Sequence, residues 1–214
     1  MEDWEYFCKT MAIILDGSIA AASIRTEIAE AVSKSVAQGN RPPGLVAILV
    51  GEDGASQTYV GAKKTACDEV GFAGDVRRFA ADITETELLA EIEKINQDET
   101  IDGLIVQLPL PKHISEEKVT QAILPAKDVD GFHDINMGKL AKGDESGVKP
   151  ATPYGITLLM KHYGIDAAGK HVVVVGRSNI VGRPMSMLLS AAAPYGNATV
   201  TLCHSRTKDL ASFT

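Results

Sequence analysis

Several short segments of this 214-residue chain carry side chains able to move protons or hold anions. The first is GASQTYVGAKKTACDEV, from Gly54 to Val70. Read as a helix, it sets Ser56, Tyr59 and Lys63 three and four residues apart, and so on one side. A tyrosine beside a lysine is a proton-handling arrangement. A lysine ammonium, with an ordinary pKa of about 10.4, is a poor base at neutral pH. Desolvation or a neighbouring cation, here Lys64 or a charge on a ligand, would let Lys63 exchange protons with a reacting carbon or a water. A solvated helix face with no function fits the same spacing.

A second candidate is Gln107, at the end of a predicted strand from Ile101 to Gln107. Leu108-Pro109-Leu110-Pro111 follows, and two prolines so spaced impose an extended exit. Ligands of parallel α/β sheets gather at the carboxyl ends of the strands, where Gln107 can donate and accept. A glutamine bonded only to its own loop is the alternative. Further on, Lys127-Asp128-Val129-Asp130-Gly131 puts two acids in a turn. Such a segment is either a capped surface loop or the holder of a pocket acid suited to paired N–H donors, such as an amino-pyrimidine edge.

The stretch HVVVVGRSNIVGRP reads as strand, glycine turn and helix start. Gly176 suits the tight turn, Ser178 stands where G-x-G-x-x-G has its second glycine, and Gly182 allows the helix to pack closely. Val181 lies between them, and Pro184 falls in the helix's first turns, where a missing N–H costs least. Backbone N–H groups there are expected to face a pyrophosphate. NAD enzymes carry an acid at the end of the next strand. This chain has Cys203-His204-Ser205-Arg206-Thr207 instead. Ser205, Arg206 and Arg177 suit a 2'-phosphate, so NADP is the expected cofactor, although a β-α-β unit with another phosphate ligand, or with none, has the same outline.

The elements that must position these residues follow from periodicity. Apolar residues recur at helical spacing from Ser18 to about Ala37, and Pro42-Pro43 then breaks the chain before a buried strand, Leu45 to Val50. A helix from Glu85 to Asn96 leads to the strand at Ile101. Beyond a Gly/Asp/Ser-rich boundary, Gly143 to Gly147, lie a helix (Pro153 to Tyr163), a strand (His171 to Val175), a helix (Ile180 to Ala193) and a strand (Thr199 to Cys203). Alternating helix and strand predicts an α/β fold: an N-terminal α/β domain with a parallel sheet over residues 11–149, and a partial NAD(P)-binding Rossmann domain over residues 150–214. Residues 1–10, MEDWEYFCKT, precede a second methionine and read as an N-terminal extension.

Composition sets outer limits. At 45% hydrophobic and 23% charged the chain can bury a core, and a net charge of -7 opposes a nucleic-acid partner. No apolar run approaches the roughly 20 residues that span a bilayer, and no basic-then-apolar leader opens the chain. The expectation is a cytoplasmic protein with no membrane partner. Cys8, Cys67 and Cys203 are odd in number and widely spaced, with no C-x-x-C, so they read as small buried hydrophobes rather than as a disulfide framework or a metal site.

Taken together and in order, S-x-x-Y-x-x-x-K-K at Ser56 to Lys64, QLPLP at Gln107 to Pro111, KDVDG at Lys127 to Gly131 and GRSxxVGxP at Gly176 to Pro184 resemble the bifunctional methylenetetrahydrofolate dehydrogenase/methenyltetrahydrofolate cyclohydrolase family. KPATPYG, from Lys149 to Gly155, and CHSRT fit it too. The resemblance implies two domains facing across a cleft, with tetrahydrofolate derivatives as substrates, NADP on the second domain and a homodimer. It implies Lys63 as the acid/base and Tyr59 as the ring that stacks on the pterin. Gln107 would tune Lys63, Leu108 and Pro109 would line the folate site, and Asp130 would hold the amino-pyrimidine edge. Gly176, Arg177, Ser178, Val181, Gly182, Ser205 and Arg206 would hold the cofactor. Ala151 stands where the family commonly has cysteine, a small-for-small exchange. The family also continues past this chain's last residue with the rest of the Rossmann sheet and a loop that closes over folate and nicotinamide. A truncated enzyme is therefore expected, with a non-catalytic folate- or nucleotide-binding fragment as the alternative. Y-x-x-x-K also occurs in short-chain dehydrogenases, but there the glycine turn precedes the pair, whereas Gly176 follows it here.

Overall fold

The protein is described by a computed structural model covering residues 12–214, so the expected N-terminal extension and Cys8 lie outside the described residues. The first helix, α1 (Gly17–Ala37), is capped by Asp16, whose carboxylate accepts the N–H groups of Ser18 and Ile19. Strand β1 (Gly44–Val50) follows, then α2 (Gly54–Val70), β2 (Ala73–Phe79), α3 (Glu85–Gln97) and β3 (Gly103–Val106). Asp53 caps α2, and Gly71 ends it at φ 80°. Thr84 and Glu87 form a capping box on α3.

These three strands make a parallel sheet in the order β2-β1-β3. The middle strand is buried on both faces, as parallel strands under helices must be. Val46, Ile48 and Val50 pack with Leu88, Ile92 and Ile95 of α3, while Ala47 and Leu49 pack with Val60 of α2 on the other face. Two helices thus bracket one strand.

Several elements depart from the expectation. Strand β2 lies where no strand is expected after Val50, because Asp75, Arg77 and Arg78 interrupt the apolar pattern. It is an edge strand, where charge on the outer side is tolerated and discourages further pairing. Arg77 bonds Glu91 of α3 at 2.5 Å, and Val76 meets the core. The helices α4 (Glu116–Ala122) and α5 (Asp134–Lys142) are likewise new. They are short, so neither shows enough periods to be read from sequence.

Next come α6 (Ala151–His162), β4 (His171–Val175), α7 (Gly182–Ser190), β5 (Thr199–Cys203) and a 3-10 turn, Leu210–Ser212. Helix α7 is shorter at both ends than the Ile180 to Ala193 expected. The two strands pair in parallel as a separate sheet, in register from His171↔Thr199 to Val175↔Cys203. Met185 and Leu189 of α7 pack on them with Ala167. Cys67 and Cys203 are buried free thiols.

Because Ile92 is fully buried against β1, Ile92→Ala is expected to cost about 2–5 kcal/mol in urea denaturation. Ile19→Ala, on the exposed side of α1, should change stability by no more than about 0.5 kcal/mol. Equal losses at the two positions would contradict this account of the core.

Candidate active site

Lys63 projects from α2 toward the carboxyl end of β3. Its Nζ donates to Oε1 of Gln107 at 3.3 Å. Gln107 is itself held twice: its backbone N–H donates to the carbonyl of Ile48 at 2.9 Å, and its side-chain amide donates to the carbonyl of Leu108 at 2.8 Å. The amide oxygen is thereby turned to the lysine. The peptide bond between Leu108 and Pro109 is cis. Tyr59, one turn before Lys63, is 64% exposed and has its ring free for a ligand.

Ser56 does not share that surface. It is buried with Val60 and Cys67 along the stripe of α2 that faces the sheet, and its N–H is held by the Asp53 cap. The three-and-four spacing is compatible with both arrangements: the residues span only about 60° of helix, with Lys63 between the other two, and the sheet covers the Ser56 edge while leaving the Tyr59 edge open. Lys64 is not a free cation beside Lys63 either, since it pairs with Asp68 four residues on.

The two acids of KDVDG separate completely. Asp128 is buried and accepts three hydrogen bonds, from the N–H groups of Gly131 (3.0 Å) and His133 (2.8 Å) and from Nδ2 of Asn136 (3.0 Å). Asp130 is half-buried, and its carboxylate accepts no hydrogen bond among the described residues. Burial pushes the Asp130 carboxyl above the usual carboxylate range, the Lys63 ammonium pulls it back, and the Asp128 carboxylate adds to the rise. Lys63, Gln107 and Asp130 therefore belong to one neighbourhood, although they lie on a helix, a strand end and a loop.

The turn after β4 is built on close approach. Gly176 has φ 125°, and a Cβ on Gly182 would fall 1.9 Å from the carbonyl oxygen of Gly176, so α7 can sit against the turn only with glycine there. Ser178 does more than stand in for a glycine. Its hydroxyl accepts the N–H groups of Val181 (3.0 Å) and Gly182 (3.3 Å), and its carbonyl accepts that of Arg183 (3.0 Å). The first N–H groups of α7 are thus used within the turn, which corrects the expectation that they face a pyrophosphate. Arg177, Ser205 and Arg206 are exposed at the carboxyl ends of β4 and β5.

The turn also borders a cavity of about 620 Å³, where Ser178, Asn179 and Arg183 face Leu108, Phe132 and Met137. The proline-rich exit of β3 and the glycine turn therefore share one crevice. Tyr59 stands on a helix packed against the first sheet and Gly176 follows a strand of the second, which removes the short-chain dehydrogenase reading, in which both would belong to one sheet. One group escaped the motif reading: Asn136, which bonds Asp128 and belongs to no periodic pattern, so nothing local marks it. Lys149, at the head of KPATPYG, places its Nζ 5.1 Å from the Tyr154 ring and 5.6 Å from the Tyr195 ring, which meet edge-to-face, while pairing with Glu145.

Residues 15–130 match the family model of the tetrahydrofolate dehydrogenase/cyclohydrolase catalytic domain, and residues 150–214 match that of its NAD(P)-binding domain. The chain is 54% identical over 201 residues to the bifunctional protein FolD of Flavobacterium johnsoniae, covering 94% of this chain and 68% of that protein. Identity to the FolD protein of Porphyromonas gingivalis is 51% over 197 residues, covering 92% of this chain and 66% of that protein. The chain thus spans about two thirds of the length of these relatives. Among solved structures, the FolD methylenetetrahydrofolate dehydrogenase/cyclohydrolase of Campylobacter jejuni superposes with a TM-score of 0.89 at 46% identity, over 94% of this chain and 70% of that one. The Trypanosoma brucei enzyme, complexed with NADP cofactor and an inhibitor, superposes with a TM-score of 0.87 at 34% identity, over 94% of this chain and 68% of that one.

The raised carboxyl of Asp130 has a measurable consequence. A carboxyl whose folded-state pKa is raised contributes stability at low pH that is lost as pH rises through the folded-state value. Asp130→Asn is therefore expected to be more stable than the parent protein at about pH 7, with the gap closing toward about pH 4 in urea midpoints. A gap that widens on acidification would reverse the assignment.

Proposed function

The chain belongs to the tetrahydrofolate dehydrogenase/cyclohydrolase family, and from that premise we propose that it oxidises 5,10-methylenetetrahydrofolate with NADP and hydrates the product to 10-formyltetrahydrofolate, two steps of one-carbon metabolism. The observation that carries the reading is the hydrogen bond from Lys63 to Gln107 at 3.3 Å, in the same neighbourhood as the desolvated Asp130. Residues 11–149 form the folate-binding catalytic part and residues 150–214 the NADP-binding part. The protein acts in the cytoplasm as a homodimer, the assembly the resemblance implies. Relatives named for both activities leave the binding-only alternative unfavoured.

In this reading Asp130 accepts the paired N–H donors of the pterin's amino-pyrimidine edge, the exposed ring of Tyr59 stacks on the pterin face, and Leu108 and Pro109 flank it. The one-carbon bridge then lies near Lys63. The fit to NADP rests on the tight Gly176–Gly182 approach, on Ser178 and Val181 shaping the turn, and on Arg177, Ser205 and Arg206 with no acid among them. When bound, NADP accepts the hydride that leaves the bridge, a step that needs chiefly alignment of two rings.

Hydration needs a base. Water adds to the methenyl carbon, and Lys63 in its amine form takes one of the water's protons. The bond from that carbon to N5 breaks, with N5 keeping the electron pair and receiving the second proton. Lys63 then returns its own proton to solvent. Gln107, fixed by Leu108 and Ile48, keeps the amine on that side of the cleft.

Two measurements test the reading. Lys63→Met is expected to lower hydration of the methenyl substrate by at least about a hundredfold, followed by loss of its near-ultraviolet absorbance, and retained turnover would remove Lys63 from the mechanism. Arg206→Ala should weaken NADP binding by about tenfold while leaving NAD binding near its starting value. An equal loss for both nucleotides would move the 2'-phosphate away from Arg206.

A further inference from the structure

We propose that Asp128 is the positioning residue for Asp130: its buried side chain closes the loop from residue 128 to residue 133 into a ring that aims the Asp130 carboxylate at the pterin edge. The inference rests on the folate reading above and deepens it.

Asp128 is 1% exposed. It has no ion-pair partner among the described residues, and a buried acid without a cation is retained only where hydrogen bonds replace the water it lost. All three of its partners are donors, and two of them are backbone groups of the loop beyond Asp130. Oδ1 takes the N–H of Gly131 and Oδ2 that of His133, while the N–H of Asp128 itself donates to the carbonyl of Leu124 at 3.0 Å. The backbone of Asp128 also pairs in parallel with Leu104 of β3. The loop is therefore pinned to the sheet at one end and drawn back onto the Asp128 carboxylate at the other. Asp130 stands between those anchors.

Among the described residues no hydrogen bond or ion pair fixes the Asp130 side chain itself. Only its main-chain carbonyl is held, by the N–H of Ala151 at 3.3 Å. Gly131 has φ 72°, and a Cβ there would fall 2.6 Å from the nitrogen of Pro150, so the loop has one way past the connecting segment. Asn136 extends the arrangement. Its Nδ2 bonds Asp128 and the carbonyl of Pro125, and its Oδ1 accepts the N–H of Val148 at 3.2 Å. The same polar knot thus ties the Asp130 loop to the segment that leads into α6. The Asp128 charge also helps to hold the Asp130 carboxyl above its ordinary range, which makes it the better acceptor of two N–H donors.

The test compares Asp128→Asn, Asn136→Ser and Asp130→Asn with the parent chain by calorimetric titration of tetrahydrofolate, a 2-desamino folate and NADP. Asp128→Asn is expected to weaken tetrahydrofolate binding about tenfold, the scale of one misaimed charged hydrogen bond. NADP should bind within about twofold of the parent value, and the 2-desamino folate, which keeps the ring N3–H but lacks the 2-amino donor, should lose less affinity than tetrahydrofolate does. A general packing defect would weaken all three ligands together. That result, or parent-like tetrahydrofolate binding by Asp128→Asn, overturns the positioning role. If Asp128→Asn fails to fold, Asn136→Ser removes one of the three donors and must show the same split between ligands, in smaller degree. Asp130→Asn separates the two levels: lost tetrahydrofolate affinity there with none lost in Asp128→Asn sinks the positioning alone. Unchanged affinity in Asp130→Asn sinks the folate reading and this inference with it.

Discussion

Burial of β1 on both faces is the constraint from which the rest of the first sheet follows. The neighbours of β1 are parallel, parallel neighbours require crossover connections, and here those crossovers are the helices α2 and α3 that cover its two faces. Those helices return the chain to the amino end of the sheet each time, so every loop at the carboxyl end is a place where distant residues meet. The pairing of Ile48 with Val106 sets the height of Gln107, whose N–H reaches the carbonyl of Ile48. Helix α2 packs Val60 on the same strand. Lys63, one turn further along, then comes within reach of Gln107.

The site departs from what the core demands. The interior hides its apolar groups, whereas Tyr59 leaves a ring in solvent and Asp130 sits partly desolvated with no hydrogen bond of its own. Both conditions oppose stability and favour binding, since a preformed and poorly solvated acceptor loses little when a ligand replaces its water. The loop that tolerates Asp130 is secured by Asp128 and Asn136, where every buried donor and acceptor is matched.

The second sheet shows a different solution. Its turn obtains a close helix approach from Gly176 and Gly182, but spends a serine hydroxyl on the N–H groups that a glycine-rich turn leaves for phosphate. Arg177 and Arg206 stand exposed at the carboxyl ends of the two strands. The crevice that the turn shares with Leu108 brings residues of the two halves of the chain to one cavity.

Much of this was legible from sequence. The first helix from Ser18, the strands around Val46 and Val173, and the order of the four motifs are short-range features, set by local apolar periodicity and turn residues. The parallel α/β class followed from their alternation. Strand β2 did not, because a strand carrying Asp75, Arg77 and Arg78 is a strand only when β1 offers it an edge. The burial of Ser56 was equally invisible, since helical spacing fixes angles between side chains but not which of them the sheet will cover. Asp128 and Asp130 are two residues apart and chemically identical in the sequence. Only the folded chain, by surrounding one with donors and leaving the other bare beside Lys63, makes the first a fastening and the second an acceptor.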